Sequence, residues 1–178
     1  MNIVIYLLIF QGFLGGYDVL WNHEWKEKLP TKPTAALEQK IHGVRELFYA
    51  VVFLGLAWLA WNGFWAWVLF GVIVIEVVLT AWDFVTEDKT RTLSPTERVT
   101  HLVLSVTGGA YIALLIPVLI EWSHLPAALV GVEYGLRSWV LTVLGVGVFL
   151  WGVRDIWSGL ELTKNSINNT KSNSHAHV

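Results

Sequence analysis

Cysteine is absent from the 178 residues, so neither a disulfide framework nor a thiolate metal site is available to this chain. Charge is scarce too: Asp, Glu, Lys and Arg make up 15% of the sequence, against about 25% in soluble domains. No basic run is long enough to follow a nucleic-acid backbone, and the net charge of −2 gives no such bias. A glycine-rich phosphate loop and a Ser–His–Asp order are both missing, which leaves nucleotide use and serine chemistry without footing.

What is present is apolar. Hydrophobic residues make up 54% of the chain, and eleven are tryptophans. Read against the ~20 residues needed to cross a bilayer, the apolar runs predict five transmembrane helices. They lie at about Ile3–Leu20, Glu46–Trp61, Phe64–Phe84, His101–Glu121 and Leu136–Trp157. The first run has no basic flank, and Gln11 and Gly15-Gly16 interrupt its apolar core, so it reads as a retained helix rather than a cleavable signal. Eleven of the twelve Lys and Arg residues fall on one side of these spans, with Arg137 alone on the other. The positive-inside rule therefore predicts an N-terminus outside and a cytoplasmic C-terminus, in a plasma (inner) membrane.

Trp61-Asn62-Gly63 reads as a tight outer turn, with Trp58, Trp61, Trp65 and Trp67 as an interfacial belt. Ser123–Gly135 is apolar enough to lie on the membrane surface as an amphipathic segment. Residues 1–162 are expected to form one integral membrane domain, and the polar tail 163–178, with His175 and His177, to be disordered.

An internal repeat organises the polar residues. Tyr17-Asp18, Pro33-Thr34 and Glu38-x-x-x-His42 recur in the same order as Trp82-Asp83, Pro95-Thr96 and Glu97-x-x-x-His101. Two helical hairpins, about 1–62 and 63–122, would form a four-helix up-down bundle in the parallel-repeat arrangement. The fifth helix, about 136–157, would pack outside it, with Asp155 beyond the ligand set. At ~1.5 Å per residue, Asp18, His42, Asp83 and His101 share one layer near the cytoplasmic boundary. Residues four apart on a helix share a face, so each Glu–His pair can converge on one ion.

The candidate metal ligands are thus Asp18, Glu38, His42, Asp83, Glu97 and His101. His23, Glu46, Glu76 and Glu87 are further ligands or supporting groups nearby. Four carboxylates balance two divalent cations, and mixed oxygen and nitrogen donors suit iron, zinc or manganese. In this the chain resembles the carboxylate di-metal (di-iron) helical-bundle proteins of ferritin-like type, whose chain order is carboxylate, Glu-x-x-His, carboxylate, Glu-x-x-His. Here the Glu–His spacing is one residue longer, two helices offer Asp in place of Glu, and the second and third helices join by a tight turn without a crossover. The resemblance implies a dinuclear site but does not carry over the identity of the metal.

Each residue also has a plainer reading. Ser94-Pro95-Thr96-Glu97 fits a capping box, which would occupy Glu97 structurally. Asp18 and Asp83 would equally suit ion pairs with Lys or Arg, and Glu24, Glu27 and Asp88 suit loop solvation. Glu76, near the bilayer centre, is expected to face the protein interior, since a charge there costs about 2.5–3.5 kcal/mol on insertion scales. The leading functional expectation is a membrane enzyme, an oxidoreductase or hydrolase, acting on a lipid or other hydrophobic molecule. A metal-ion or proton transporter or sensor, a b-type haem between His42 and His101, and a non-catalytic scaffold stand as alternatives.

Overall fold

The computed structural model describes Met1–His175, with side chains through Asn169. Five helices dominate, and each is long and apolar enough to cross a membrane. They are α1 (Asn2–Asp18), α2 (Ala36–Trp58), α3 (Phe64–Thr90), α4 (Pro95–Ser123) and α5 (Leu136–His175). α2 to α5 run further toward the polar loops than the apolar runs suggest. Glu38, His42 and Arg45 are helical residues of α2, and Glu97 belongs to the first turn of α4. α5 continues well past Trp157, so residues 163–175 are helical where composition suggests an irregular tail. His177 lies outside the described residues.

Between α1 and α2 the chain does not simply loop. Val19–Lys26 continues α1 as a π-helix, with the Glu27 amide bonded to the Asn22 carbonyl five residues back at 2.9 Å. The wider turn rotates Asn22 and His23 inward, and both are buried. Two short 3₁₀ turns, each with a proline in its first positions, then lead into α2.

The connections at the opposite end are more ordered than expected. Leu59–Asn62, which takes in Trp61 and Asn62 of the expected turn, forms strand β1 and pairs antiparallel with β2 (Ala128–Gly131) of the Ser123–Gly135 segment. Pairing satisfies backbone groups that the α2–α3 corner would otherwise leave bare. Gly63, at φ +60, makes the reversal into α3, and a Cβ there would strike Ala127 at 2.6 Å.

The helices pack in a ring, in the order α1, α4, α3, α2, α5 and back to α1. α5 has its most extensive packing with α2 and separates α2 from α1, which meet only marginally. This corrects the expected arrangement of four bundled helices with a peripheral fifth. The physical reason lies in small residues: Gly43 and Gly152 let the α2 and α5 backbones touch, since a Cβ on Gly43 would lie 2.6 Å from the Gly152 carbonyl oxygen. The apolar core sits toward the end where β1 and β2 pair, around Leu8, Phe53, Leu69, Tyr111, Leu115 and Leu141.

Candidate metal centre

Below that core the interior turns polar. His23 from the π-helix, Glu87 from α3, and Glu97 and His101 from α4 each place one ligand-type atom within 4.8 Å of the others. Ligands ~2.1 Å from a common ion lie at most about 4.2 Å apart, so this group needs only a small contraction to close on a metal. Asp18 stands behind it. Its carboxylate meets His101 Nε2 at 3.0 Å, accepts the Thr100 hydroxyl at 2.7 Å and the Asn22 amide at 2.6 Å, and lies 3.8 Å from His23 Nε2. Glu87 approaches the other nitrogen of His101 at 3.6 Å, and Phe84 stacks on the ring. His101 is therefore fixed in orientation from three sides.

His42 and Glu46 of α2 form a second group with Asp155 of α5, again within 4.8 Å. His23 links the two groups, its ring centroid 4.7 Å from that of His42 and 6.4 Å from that of His101. The ligand set thus spreads over all five helices and their extensions, and Asp155 enters it where the repeat leaves the fifth helix out.

Two arginines decide which carboxylates are spoken for. Arg91, in the α3–α4 connection, forks onto Glu97 at 2.6 and 2.9 Å and donates to Glu38 at 2.9 and 3.0 Å. Burial alone would lower its pKa, but its hydrogen bonds to Glu97 and Glu38 outweigh it and raise it, so the guanidinium stays charged. Arg45 of α2 pairs with Asp83 and lies 3.7 Å from Glu76, which also accepts from Thr80 at 2.6 Å. Glu38, Glu97 and Asp83 are consequently engaged by guanidinium groups, Asp83 follows the ion-pair reading, and Glu97 would reach an ion only by sharing an oxygen with Arg91. Ser94 accepts the Glu97 amide at 3.3 Å as an N-cap, yet the Glu97 carboxylate turns to Arg91 instead of closing the capping box.

Against this, several buried atoms have no hydrogen-bond partner: both ring nitrogens of His23, Nδ1 of His42, and one oxygen each of Glu46, Asp83 and Glu87. Unsatisfied buried polar atoms cost about 1–3 kcal/mol each, so a concentration of them at one place calls for an occupant. Neutral imidazoles and carboxylate oxygens are donors that a divalent cation satisfies directly, and the donor chemistry fits.

The histidines and Glu46, Glu76 and Glu87 also line a cavity of about 510 Å³, within the usual size range of small-molecule sites. Its remaining wall is largely apolar and unusually bare, with Gly15 and Gly16 of α1, Gly109 of α4 and Gly147 of α5.

The apolar span Ile3–Leu20 stops short of His23, and the repeat leaves Asp155 beyond the ligand set. The stacked spacing Tyr17, Trp21, Trp25, whose rings lie parallel at 6.5 Å along one face, was the available sign that the helix continues through His23. The partner of Arg91 had no local signal. Comparison with protein-family models, with curated proteins and with solved structures finds no match for this chain.

Proposed function

We propose that this chain is an integral membrane metalloprotein with a dinuclear histidine–carboxylate site near the cytoplasmic face, and that it is an oxidoreductase acting on a hydrophobic substrate. One ion would be held by His23, Glu87, Glu97 and His101, the other by His42, Glu46 and Asp155. The observation that carries this reading is the convergence of three histidines with unpartnered ring nitrogens or nearby carboxylates at the polar end of an apolar cavity. Membrane insertion is supported by apolar side chains exposed along all five helices, Phe13, Val78, Leu102 and Val143 among them, which water would not favour. The basic residues of the polar loops orient the N-terminus outside and the site toward the cytoplasm, in a plasma membrane.

Iron bound there would supply dioxygen-dependent oxidation. The residues of the chain do the rest: Asp18 holds His101 as a ligand, Arg91 neutralises Glu38 and Glu97, and the apolar wall keeps water from the substrate. His23 stands against both His42 and His101, leaving no room for a porphyrin between those rings, which weighs against haem. A transport path is disfavoured too, because Tyr111, whose hydroxyl has no partner, sits in the apolar core with Leu115 and Leu119.

Elemental analysis of protein purified from membranes tests the proposal. Near two iron atoms per chain is the expected result, falling toward one in His101→Ala and, separately, in His42→Ala. Zinc in place of iron would turn the reading to hydrolysis by a metal-activated water. No metal in the wild type would end it.

A further inference from the structure

The cavity owes its existence to missing side chains. Gly15, Gly16, Gly109 and Gly147 all line it, and a Cβ built on any of them meets no atom within 4 Å. Helical glycine disfavours the helix relative to alanine, and here it yields no close helix approach in return; what it yields is empty space. A row of small residues is not by itself a site. The second observation is His23, 2% exposed, which faces the same cavity with neither ring nitrogen hydrogen-bonded.

The walls also say what would be accepted. Four carboxylates line the cavity, Asp18, Glu46, Glu76 and Glu87, against one guanidinium, Arg45, which is already committed to Asp83 and Glu76. Two divalent ions at the histidines would have their charge matched by Asp18, Glu46, Glu87 and Asp155, so with or without metal no cation of the cavity, among the described residues, is left free to receive an anionic headgroup. Entry is lateral. Leu20 of the α1 extension, Val77 of α3 and Val143 of α5 line the cavity and are also 56%, 46% and 71% exposed on the apolar surface, so the cavity opens sideways through the helix ring. A molecule dissolved in the bilayer would reach the histidines that way without crossing water.

We propose that this cavity binds one uncharged long-chain lipid, an alcohol, aldehyde or hydrocarbon, taken up sideways through the helix ring and lying along the glycine wall with its reacting end at His23, His42 and His101. The position of the reacting end rests on the metalloprotein reading; the binding of a neutral chain does not.

The test uses the full chain in nanodiscs with two photoreactive probes of equal length, a diazirine-bearing hexadecanol and the corresponding hexadecanoic acid. The alcohol is expected to label peptides from α1, α4 and α5 that contain Gly16, Gly109 and Gly147, and the acid to label them about tenfold less. Gly16→Leu and Gly147→Leu each fill the cavity and should reduce alcohol labelling by about tenfold while leaving the thermal midpoint unchanged or higher. Equal labelling by the acid would overturn the neutral class. Labelling spread over the outer helix faces and insensitive to both substitutions would overturn the site. Metal content measured on the same samples separates the two proposals: specific labelling without bound metal ends only the oxidoreductase reading, and two ions per chain without labelling ends only this one.

Discussion

The two sides of the helical ring use the same residue type to opposite ends. Along α2 and α5, glycines bring backbones into contact: a Cβ on Gly43, Gly152 or Gly159 would lie 2.6 to 2.8 Å from a main-chain oxygen of the facing helix. Facing the cavity, Gly15, Gly16, Gly109 and Gly147 border open space. The α2–α5 seam is held by packing. At the polar rim of the ring directional bonds join the helices: Arg91, from the α3–α4 connection, ties Glu38 of α2 to Glu97 of α4, and Arg45 of α2 pairs with Asp83 of α3. The cavity is thus set between a rigid seam and directional bonds at the polar rim.

Removing a rim bond should have the largest effect. Arg91→Ala leaves Glu38 and Glu97, 1% and 0% exposed, without their cation. Breaking a buried pair from one side costs about 3–5 kcal/mol, so a large drop in thermal midpoint is expected in detergent or nanodiscs. A loss below about 1 kcal/mol would place these pairs with surface ion pairs and dissolve the contrast. Next comes the seam. Gly43→Val drives a branched side chain into the Gly152 carbonyl and Ile156, and backbone cannot yield as a flexible side chain would. Overpacking of this kind costs about 1–3 kcal/mol, read from the same melting curves. Tolerance of valine there would mean that α2 and α5 slide freely, and the rigid-seam argument would fall.

The five apolar spans were legible because membrane-length hydrophobic runs leave little choice of secondary structure. The polar inventory was legible for the same reason: each ionisable residue in such a chain stands out. Partner choice was not. Glu38 and Glu97 carry the same Glu-x-x-x-His spacing, yet Arg91 draws both carboxylates to itself, and nothing within either motif records a guanidinium from the α3–α4 connection. The extent of the helices was also hidden, since Ala36–Arg45 is too polar for an apolar window but is helical against α5. The place of α5 followed from Gly43 and Gly152, which in sequence look like any other small residues of a membrane helix. The order aromatic-Asp, Pro-Thr, Glu–His is real in the sequence, but the ring interposes α5 between the two helices of the first hairpin.

A smaller effect, of opposite sign, separates the two kinds of glycine. Gly16→Ala adds a methyl to the cavity where nothing obstructs it and removes a flexible residue from a helix. The expected result is a gain of up to about 1 kcal/mol, seen as a higher midpoint. The same change at Gly152 should lower the midpoint, because its Cβ would meet the Gly43 carbonyl oxygen at 2.8 Å. If both substitutions move stability in one direction, the two sides are not packed differently.

The smallest effect is expected where an ion pair lies outside both sides. Lys32 donates to Glu27 at 2.7 Å in the connection between the α1 extension and α2, with the two side chains 43% and 22% exposed. The hydrogen bond from Lys32 lowers the pKa of Glu27, and burial opposes it only in part. A folded-state pKa below the unfolded one means that the pair stabilises above the ordinary glutamate value of about 4.3 and fades as pH falls through the lower, folded value. Water and salt screen so exposed a pair, which limits it to about 0.2–1 kcal/mol. Lys32→Gln should therefore lower the thermal midpoint slightly near neutral pH and in low salt. The difference from the wild type should shrink both on acidification and on adding salt. A Lys32→Gln penalty as large as that of Arg91→Ala would show that charge alone, and not its burial at the polar end of the ring, sets the strength of these pairs.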